Sequence, residues 1–337
     1  ALRSVNLGSI TGIGDRTFMS CTSLVSITIP ETVKSIGNHA FIMCESLESF
    51  TVPESVREIG NYAFANFEYI DKTPEEITEE DPNFTKQWFI GDNTITKVVL
   101  PEGIEKINAY AFANLTALEE IVLPSTLESI EYGAFYQCSS LEKITFSGED
   151  NLKIISQHAF EGCALKGSLD FKSICVISNY AFAGCDQLES ITMADTLLSI
   201  GEYAFAGCKK LGAVTVNATK VKYGPYAFTN CEALKEFTVN AAVLPEGMFY
   251  EAENLEKGVV FRITDREKPK KESRKKSKAA KESAARAFFD GKGIKGKNLD
   301  IAIRGSRSEI DGVELDGEYM AVKTHDFTES GMGNVTF

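Results

Sequence analysis

Cysteine and histidine are the residues in this 337-residue chain best suited to chemistry, because both can bind metals or act in catalysis. Of eight cysteines, only Cys175 falls outside a regular spacing. Zinc sites and disulfide frameworks use clustered spacings such as C-x2-C, which the regular set lacks. We therefore predict a column of buried free thiols and no metal ion or cofactor. The regularly spaced residues are Cys21, Cys44, Cys138, Cys163, Cys185, Cys208 and Cys231.

The histidines and carboxylates do not form a catalytic pattern. His39 and His158 each stand two residues before a recurring Phe, and His325 lies alone near the C-terminus. None of G-x-S-x-G, H-E-x-x-H, the P-loop or G-x-G-x-x-G occurs in a fitting context. The carboxylates are scattered, so no pair can be chosen as general acid and base. These observations predict that the protein is not an enzyme.

The cysteine spacing follows a repeat whose marker is Phe, usually preceded by Ala. Each regularly spaced cysteine stands three residues after its marker. Steps between markers run from 21 to 25 residues, except for one gap of 48. We interpret that gap as two steps with Phe89 as the missing marker, which predicts eleven turns. The other markers are Phe18, Phe41, Phe64, Phe112, Phe135, Phe160, Phe182, Phe205, Phe228 and Phe249.

The residues that follow each marker predict a short strand and a return. In the first turn, Leu24 is followed by the alternating apolar pair Ile27 and Ile29, which is typical of a half-buried strand. Pro30 ends the strand, and Gly37 permits a tight bend. One turn of this length cannot bury its apolar face, whereas stacked turns can. We predict a horseshoe-like α/β-class solenoid, with a parallel sheet on its concave face and short turns or helical bends on its convex face.

Segments such as "AFAGCKKLGAVTV", "AFYQCSSLEKITF" and "LVSITIPETVKSIGNHAF" resemble BspA-like leucine-rich repeats of the LRR_5 type. The resemblance extends over residues 1–261. It implies a surface or secreted protein, because members of that family are often found there and several act as adhesins that bind host matrix proteins or cells. The spacing itself predicts only the solenoid.

Two stretches depart from the repeat. Residues 67–88 include the acidic run "DKTPEEITEEDPNF", which replaces a normal turn and predicts a loop that bulges from a degenerate turn. Loops on a rigid scaffold often carry binding residues, although a tolerated insertion would produce the same pattern. The last turn, around Phe249, is shorter and weaker, which is consistent with the array ending near residue 261.

The strand positions that face away from the core are the candidate binding surface. In a leucine-rich solenoid this concave face is the usual docking surface. Short hydroxyl side chains would make it flat and able to form hydrogen bonds, although Thr is also common on any solvated strand. The face lacks the Arg and aromatic residues typical of tight interfaces. The candidate residues are Thr28, Thr51, Thr145, Asp170, Thr192, Thr215 and Thr238, with Val99 and Val122 interrupting the column.

Charge separates the chain into three parts. Residues 1–264 hold 19 Lys and Arg against 35 Asp and Glu, residues 265–297 hold 13 against 5, and residues 298–337 hold 3 against 8. Nonspecific nucleic-acid binding by the acidic body is disfavoured, which leaves the basic stretch 266–297 as the only candidate. Residues 262–297 are predicted to be a basic linker or helix, and 298–337 a small β-rich tail or cap. No stretch is apolar enough for a membrane span.

We therefore expect a noncatalytic module that recognises a protein or glycan partner, as part of a cell-surface or secreted adhesin-like protein. The alternative is a cytoplasmic scaffold subunit of a larger assembly, anchored by the basic tail. Free thiols and the lack of a recognisable leader favour the alternative, since disulfides are common in secreted proteins.

Overall fold

The computed structural model describes residues 2–66, 94–218, 221–239 and 248, and the backbone of strands at 260–263 and within 304–319. The chain divides into two compact units, Ala1–Lys166 and Gly167–Phe337. In both, the chain winds through a repeating coil that consists of a main strand, a two-residue short strand and a turn. Parallel pairing joins successive coils, so the predicted parallel-strand solenoid is confirmed.

In unit 1, main and short strands alternate from the second coil onward. The strands are β1 (Gly12–Ile13), β2 (Ser26–Thr28), β3 (Ser35–Ile36), β4 (Ser49–Thr51), β5 (Glu58–Ile59), β6 (Lys97–Val99), β7 (Lys106–Ile107), β8 (Glu120–Leu123), β9 (Ser129–Ile130), β10 (Lys143–Phe146) and β11 (Ile154–Ile155). The main strands form two separate sheets, β2-β4 and β6-β8-β10, and the short strands likewise form β1-β3-β5 and a group that contains β7, β9 and β11.

Unit 2 repeats the arrangement and ends in two small antiparallel pairs. The strands are β12 (Gly167–Phe171), β13 (Val176–Ile177), β14 (Leu188–Met193), β15 (Ser199–Ile200), β16 (Ala213–Val216), β17 (Lys222–Tyr223), β18 (Glu236–Val239), β19 (Val260–Ile263), β20 (Arg304–Gly305), β21 (Ile310–Asp311), β22 (Glu314–Leu315) and β23 (Glu318–Tyr319). The main strands form one five-stranded parallel sheet in the order β12-β14-β16-β18-β19. The last four pair as β20-β21 and β22-β23.

The marker Phe residues form the centre of the core. Nine lie within the described residues, and all are buried: Phe18, Phe41, Phe64, Phe112, Phe135, Phe160, Phe182, Phe205 and Phe228. Their rings stack between neighbouring coils, with centroids 5.0 Å apart for Phe41–Phe64 and 5.2 Å for Phe182–Phe205. Stacked rings and the Leu, Ile and Val of the strands fill each coil interior, which accounts for the strict period.

The turns differ from the predicted helical bends, because no helix occurs among the described residues. Eight of the nine described turns have residues with positive φ two positions before and two positions after the marker, such as Arg16 and Ser20 around Phe18, and the Phe64 turn has only the first, Tyr62. In the turns, every second amide points to the next coil. In the first turn, Phe18 N donates to Ala40 O at 2.8 Å, and Ser20 N to Ile42 O at 2.9 Å. The turns therefore form a third hydrogen-bonded ladder.

The glycine that precedes the turn is needed for close backbone approach. A Cβ on Gly60 would lie 2.5 Å from Asn38 N, and one on Gly37 would lie 2.6 Å from Asp15 N. Neither glycine has positive φ. The sequence interpretation of Gly37 as the hinge of a tight bend is therefore replaced by a steric reason: adjacent coils touch at this point.

The 48-residue gap is one coil and not two. Phe64 stacks directly on Phe112 with ring centroids 5.5 Å apart, and Phe64 N donates to Ala111 O at 2.8 Å. No coil fits between rings in contact, so the interpretation of Phe89 as a marker, and with it the count of eleven turns, is wrong. Phe89 and residues 67–88 lie outside the described residues, as do Phe249 and most of 262–337. Residues 67–93 are thus an insertion within one coil.

Tyr223 provides a test of the core assignment, because it occupies the position that Ile200 holds in the preceding coil. Its hydroxyl is buried and has no hydrogen-bond partner in the described part of the chain, and burial raises its pKa. Removing an unsatisfied buried hydroxyl should stabilise the fold by about 1 kcal/mol. We expect Tyr223→Phe to raise the free energy of unfolding in urea, whereas Tyr203→Phe, at a partly exposed ring, should leave it unchanged. A loss of stability in Tyr223→Phe would contradict the assignment.

Candidate functional site

The outward positions of the main strands, which we call the strand face, form regular columns within each unit. In unit 1, Thr28 pairs with Thr51, and Val122 pairs with both Val99 and Thr145. Thr28 and Thr51 are exposed, and Val99 keeps 52% of its surface exposed. Parallel pairing without a register shift holds these side chains in line. The coil geometry therefore positions them.

A row of alternating charge borders the Val99 part of the strand face. Glu120 accepts from Lys97 Nζ at 2.8 Å and from Lys143 Nζ at 3.0 Å. Hydrogen bonds from Lys97 and then Lys143 lower the pKa of the Glu120 carboxyl. The row is exposed, so it adds little stability, but it fixes three charged groups on a flat surface. Sequence analysis did not identify this shared ion pair.

The strand face of unit 2 carries the remaining candidate residues. Asp170 pairs with Thr192, Thr192 with Thr215, and Thr215 with Thr238. Asp170 is exposed, and the three threonines are half-buried. In the neighbouring column, the Ser168 and Ser190 hydroxyl oxygens lie 2.6 Å apart. This surface offers hydroxyl donors and acceptors together with the carboxylates of Asp170 and Glu236.

Five of the seven regularly spaced cysteines are buried and donate their thiols to the backbone of the preceding coil. Cys138 Sγ donates to Phe112 O at 3.1 Å, and Cys231 Sγ to Phe205 O at 3.2 Å. Cys44, Cys163 and Cys208 make the same contact with the marker carbonyl of the preceding coil. Burial raises the pKa of Cys138 to about 12, so the thiolate that a nucleophile or metal ligand requires is disfavoured. Cys21 and Cys175 are partly exposed, and Cys185 is buried.

Family comparison agrees with this architecture. The profile described as "BspA type Leucine rich repeat region" matches residues 1–79, 83–175 and 153–262, in six copies. The chain belongs to this family. No curated protein matches it. BspA-type repeats generally serve as non-enzymatic binding scaffolds that mediate protein interaction.

Solved structures of bacterial leucine-rich repeat proteins are similar to this BspA-type chain. A protein from Bacteroides ovatus is 23% identical, with a TM-score of 0.43, over 75% of this chain and 63% of its own length. One from Eubacterium ventriosum is 23% identical, with a TM-score of 0.45, over 77% and 65%. A leucine rich cell surface protein from Faecalibacterium prausnitzii is 23% identical, with a TM-score of 0.30, over 74% and 83%. The chain therefore spans less than two thirds of the length of the first two.

The two histidines of the BspA-type array belong to an aromatic column on the turns. His39 stacks on Tyr62 with centroids 4.9 Å apart, and Tyr62 stacks on Tyr110 at the same distance. His158 packs against Tyr132 at 5.1 Å and is hydrogen-bonded to Glu161. Sequence analysis noted the shared phase of the histidines but missed the column. The recurrence of Tyr at this phase was the available signal.

Within the described ranges, no group of three or more His, Cys, Asp or Glu residues could hold a metal ion. Over the same residues, no helix has the length and hydropathy needed to cross a membrane. The described residues therefore do not gather groups for metal chemistry.

Thiol accessibility tests the placement of the cysteine column. We expect the native chain at pH 8 to react rapidly with Ellman's reagent at Cys21 and Cys175 only, because the other six thiols are buried. Burial and the nearby Cys21 raise the pKa of Cys44 to about 12, so it should remain a protonated thiol at that pH. Mass spectrometry would locate the labels, and urea-unfolded chain, in which all eight should react, is the control. Rapid labelling of Cys138 or Cys208 in folded protein would contradict the column.

Proposed function

We propose that the chain is a noncatalytic recognition module that binds a protein or glycan partner across its strand face. The observation that supports this most is the aligned, solvent-facing column of each unit, formed in unit 2 by Asp170, Thr192, Thr215 and Thr238. A rigid sheet whose outer side chains are short loses little entropy when a partner docks. Members of the family generally act in this way, which supports the same conclusion.

The chemistry of the strand face indicates the kind of contact. Hydroxyl groups, Asp170 and the Lys97–Glu120–Lys143 row offer hydrogen bonds and charge, and Val99 offers a small apolar surface. Among the strand-face residues whose side chains the structure describes, none is aromatic or Arg, the types that form energetic hot spots. By register, Arg262 of β19 continues the column beside Thr238. We infer a broad polar contact in which affinity comes from many small contributions. Glycans and extended protein segments both fit such a surface.

We further propose that the module acts on a cell surface or as a secreted protein. Support comes from the family membership and from the description of the Faecalibacterium prausnitzii protein as a cell surface protein. The acidic segment 67–88 is a second candidate for partner contact, on its sequence alone.

A binding screen tests the proposal. The full chain, labelled at its N-terminus, would be applied to an array of purified extracellular matrix proteins and to a printed glycan array. We expect saturable retention on at least one class of probe, weakened by salt, since charged groups border the face. The heat-unfolded chain is the control. Saturable binding of the unfolded chain alone, or no retention of folded chain on either array, would overturn the proposal.

The alternative is a cytoplasmic scaffold subunit anchored by the basic stretch 266–297. The observation that favours it is the net charge of this stretch, since residues 265–297 hold 13 Lys and Arg against 5 Asp and Glu. Deleting residues 265–337 separates the two functions. A recognition module should keep its partner after the deletion, whereas a scaffold anchored by the tail should lose its assembly.

A further inference from the structure

Ordinary coil boundaries in unit 1 are closed by three ladders. Between residues 94–114, called coil 4, and residues 120–137, called coil 5, β6 pairs with β8 and β7 pairs with β9. The turns add Phe112 N donating to Ala134 O at 2.9 Å. The stability of a solenoid is approximately the sum of such nearest-neighbour contacts. A boundary with fewer contacts is therefore a weaker boundary.

The boundary between residues 49–66, called coil 3, and coil 4 keeps one main-chain ladder of the three. Among the described residues, neither β4 with β6 nor β5 with β7 forms a paired ladder. Only the turns remain joined, by Tyr62 N to Ala109 O at 3.0 Å, Phe64 N to Ala111 O and Asn66 N to Ala113 O. We call this boundary the seam.

Side chains replace part of the missing backbone pairing at the seam. Thr94 Oγ1 donates to Leu47 O at 3.1 Å, and Asn108 Nδ2 donates to Ile59 O at 2.7 Å. At ordinary boundaries, the carbonyl equivalent to that of Ile59 accepts a hydrogen bond from a backbone amide, as when Gly60 N donates to Ile36 O at 2.8 Å. The thiol contact is also absent, because Leu115 occupies the cysteine position of coil 4. Within the turns, Ala109 N donates to Asn61 Oδ1 at 3.0 Å and Asn114 Nδ2 to Asn66 O at 2.6 Å, so the interaction deficit lies in the two strand ladders and the thiol contact.

We propose that unit 1 opens reversibly at the seam, so that its strand face consists of two plates that can separate while each keeps its own pairing. One plate ends with the Thr28 and Thr51 column, and the other begins with Val99 and the charged row. A partner that contacts both plates would hold the seam closed, and one that contacts a single plate would not. The seam is therefore a point at which binding and local opening are coupled.

Hydrogen exchange of the full chain, resolved to single amides, tests the seam. The amides of Tyr62, Phe64 and Asn66 donate across it, whereas those of Tyr110, Phe112 and Asn114 donate across the next boundary. We expect protection factors at the seam to be at least about tenfold lower than those at the next boundary, because local opening exposes the seam amides without global unfolding. Equal or higher protection at the seam would overturn the proposal.

A matched pair of variants separates local opening from general destabilisation. Asn108→Ala removes the side-chain bond across the seam. Thr126→Val removes a hydroxyl that donates to Ile104 O and accepts from Gly103 N, both at 2.9 Å, across the next boundary. Asn108→Ala should lower protection of Phe64 and leave that of Phe112 unchanged, and Thr126→Val should do the reverse. If either variant lowers protection equally at both boundaries, the seam does not open as an independent step.

Discussion

Replacing residues 67–93 with the dipeptide Leu-Thr should give a folded chain that is more stable than the parent. The 48-residue step loses 27 residues and gains two, which restores a period of 23. Asn66 and Thr94 would then be joined as Asn114 is joined to Ala117 in coil 4, through the Leu115–Thr116 pair. A connection of two residues costs about 2 kcal/mol less loop-closure entropy than one of 27. Urea unfolding followed by circular dichroism measures the gain.

The control for this replacement inserts Asp-Thr instead of Leu-Thr. Its first residue corresponds to Leu115, which is 1% exposed, so a carboxylate would be buried in the core. We expect the Asp-Thr chain to be much less stable than the Leu-Thr chain. If both unfold alike, or if the Leu-Thr chain fails to fold, coil 3 does not rest directly on coil 4.

The second large effect is expected at the marker Phe of an interior coil. Phe205 is fully buried and stacks on Phe182 and Phe228 at 5.2 and 5.1 Å. Phe205→Ala should lower the free energy of unfolding by about 3–5 kcal/mol, because it removes the ring and leaves a cavity between two coils. Denaturant unfolding measures the loss.

Two comparison variants define the origin of that loss. Phe205→Leu keeps most of the apolar volume and should be clearly milder. Among the described aromatic residues, Phe18 stacks on one ring, that of Phe41, and it is 7% exposed, so Phe18→Ala should cost less than Phe205→Ala. Equal losses in Phe18→Ala and Phe205→Ala would show that ring stacking between coils does not stabilise the core.

The repeat allowed much of the fold to be predicted, because each coil must place the same residue types in the same core positions. Each main strand buries one of its two sides, which explains the alternating apolar pair, as in Ile27 and Ile29. Burial inside the coil likewise explains the marker Phe. The register of the strand face is then fixed by the period. That is why the Thr192–Thr215–Thr238 column could be assigned from spacing alone.

The placement of Phe89 shows where periodicity alone misleads. A gap of 48 is close to twice the usual step, and apolar residues around Phe89 partly match the pattern. Phe64 and Phe112 are in contact although they lie 48 residues apart, and no local sequence pattern indicates such a long-range contact. The sequence could not distinguish an added coil from an insertion of similar length.

The turn conformation was missed for a different reason. Positive φ is signalled by Gly or Asn, and only some turns have these residues, as at Asn114 and Gly184. Tyr62, Met43 and Gln137 adopt the same left-handed conformation without any local preference for it. The ladder between coils imposes their geometry, so tertiary contacts override residue type.

The sequence was enough to predict which residues form the candidate surface, but not what that surface binds. Spacing identified which side chains share the strand face, but the ion pairs of Glu120 depend on rotamers that spacing does not determine. The sequence predicted buried cysteines, but only the coil geometry shows that their thiols donate to the marker carbonyl. Partner identity depends on the summed chemistry of the face, which binding measurements address.

The most direct test of the central claim, recognition through the strand face, compares two arginine substitutions on unit 2. Thr215→Arg changes the strand face, whereas Ser199→Arg changes the short-strand side of the preceding coil; both positions are half-buried strand residues. Affinity for the probe retained in the matrix or glycan screen would be measured by titration, with folding verified by circular dichroism. We expect Thr215→Arg to weaken binding at least tenfold, about 1.4 kcal/mol, and Ser199→Arg to leave it unchanged. Unchanged affinity in Thr215→Arg, or equal loss in both folded variants, would contradict recognition through the strand face.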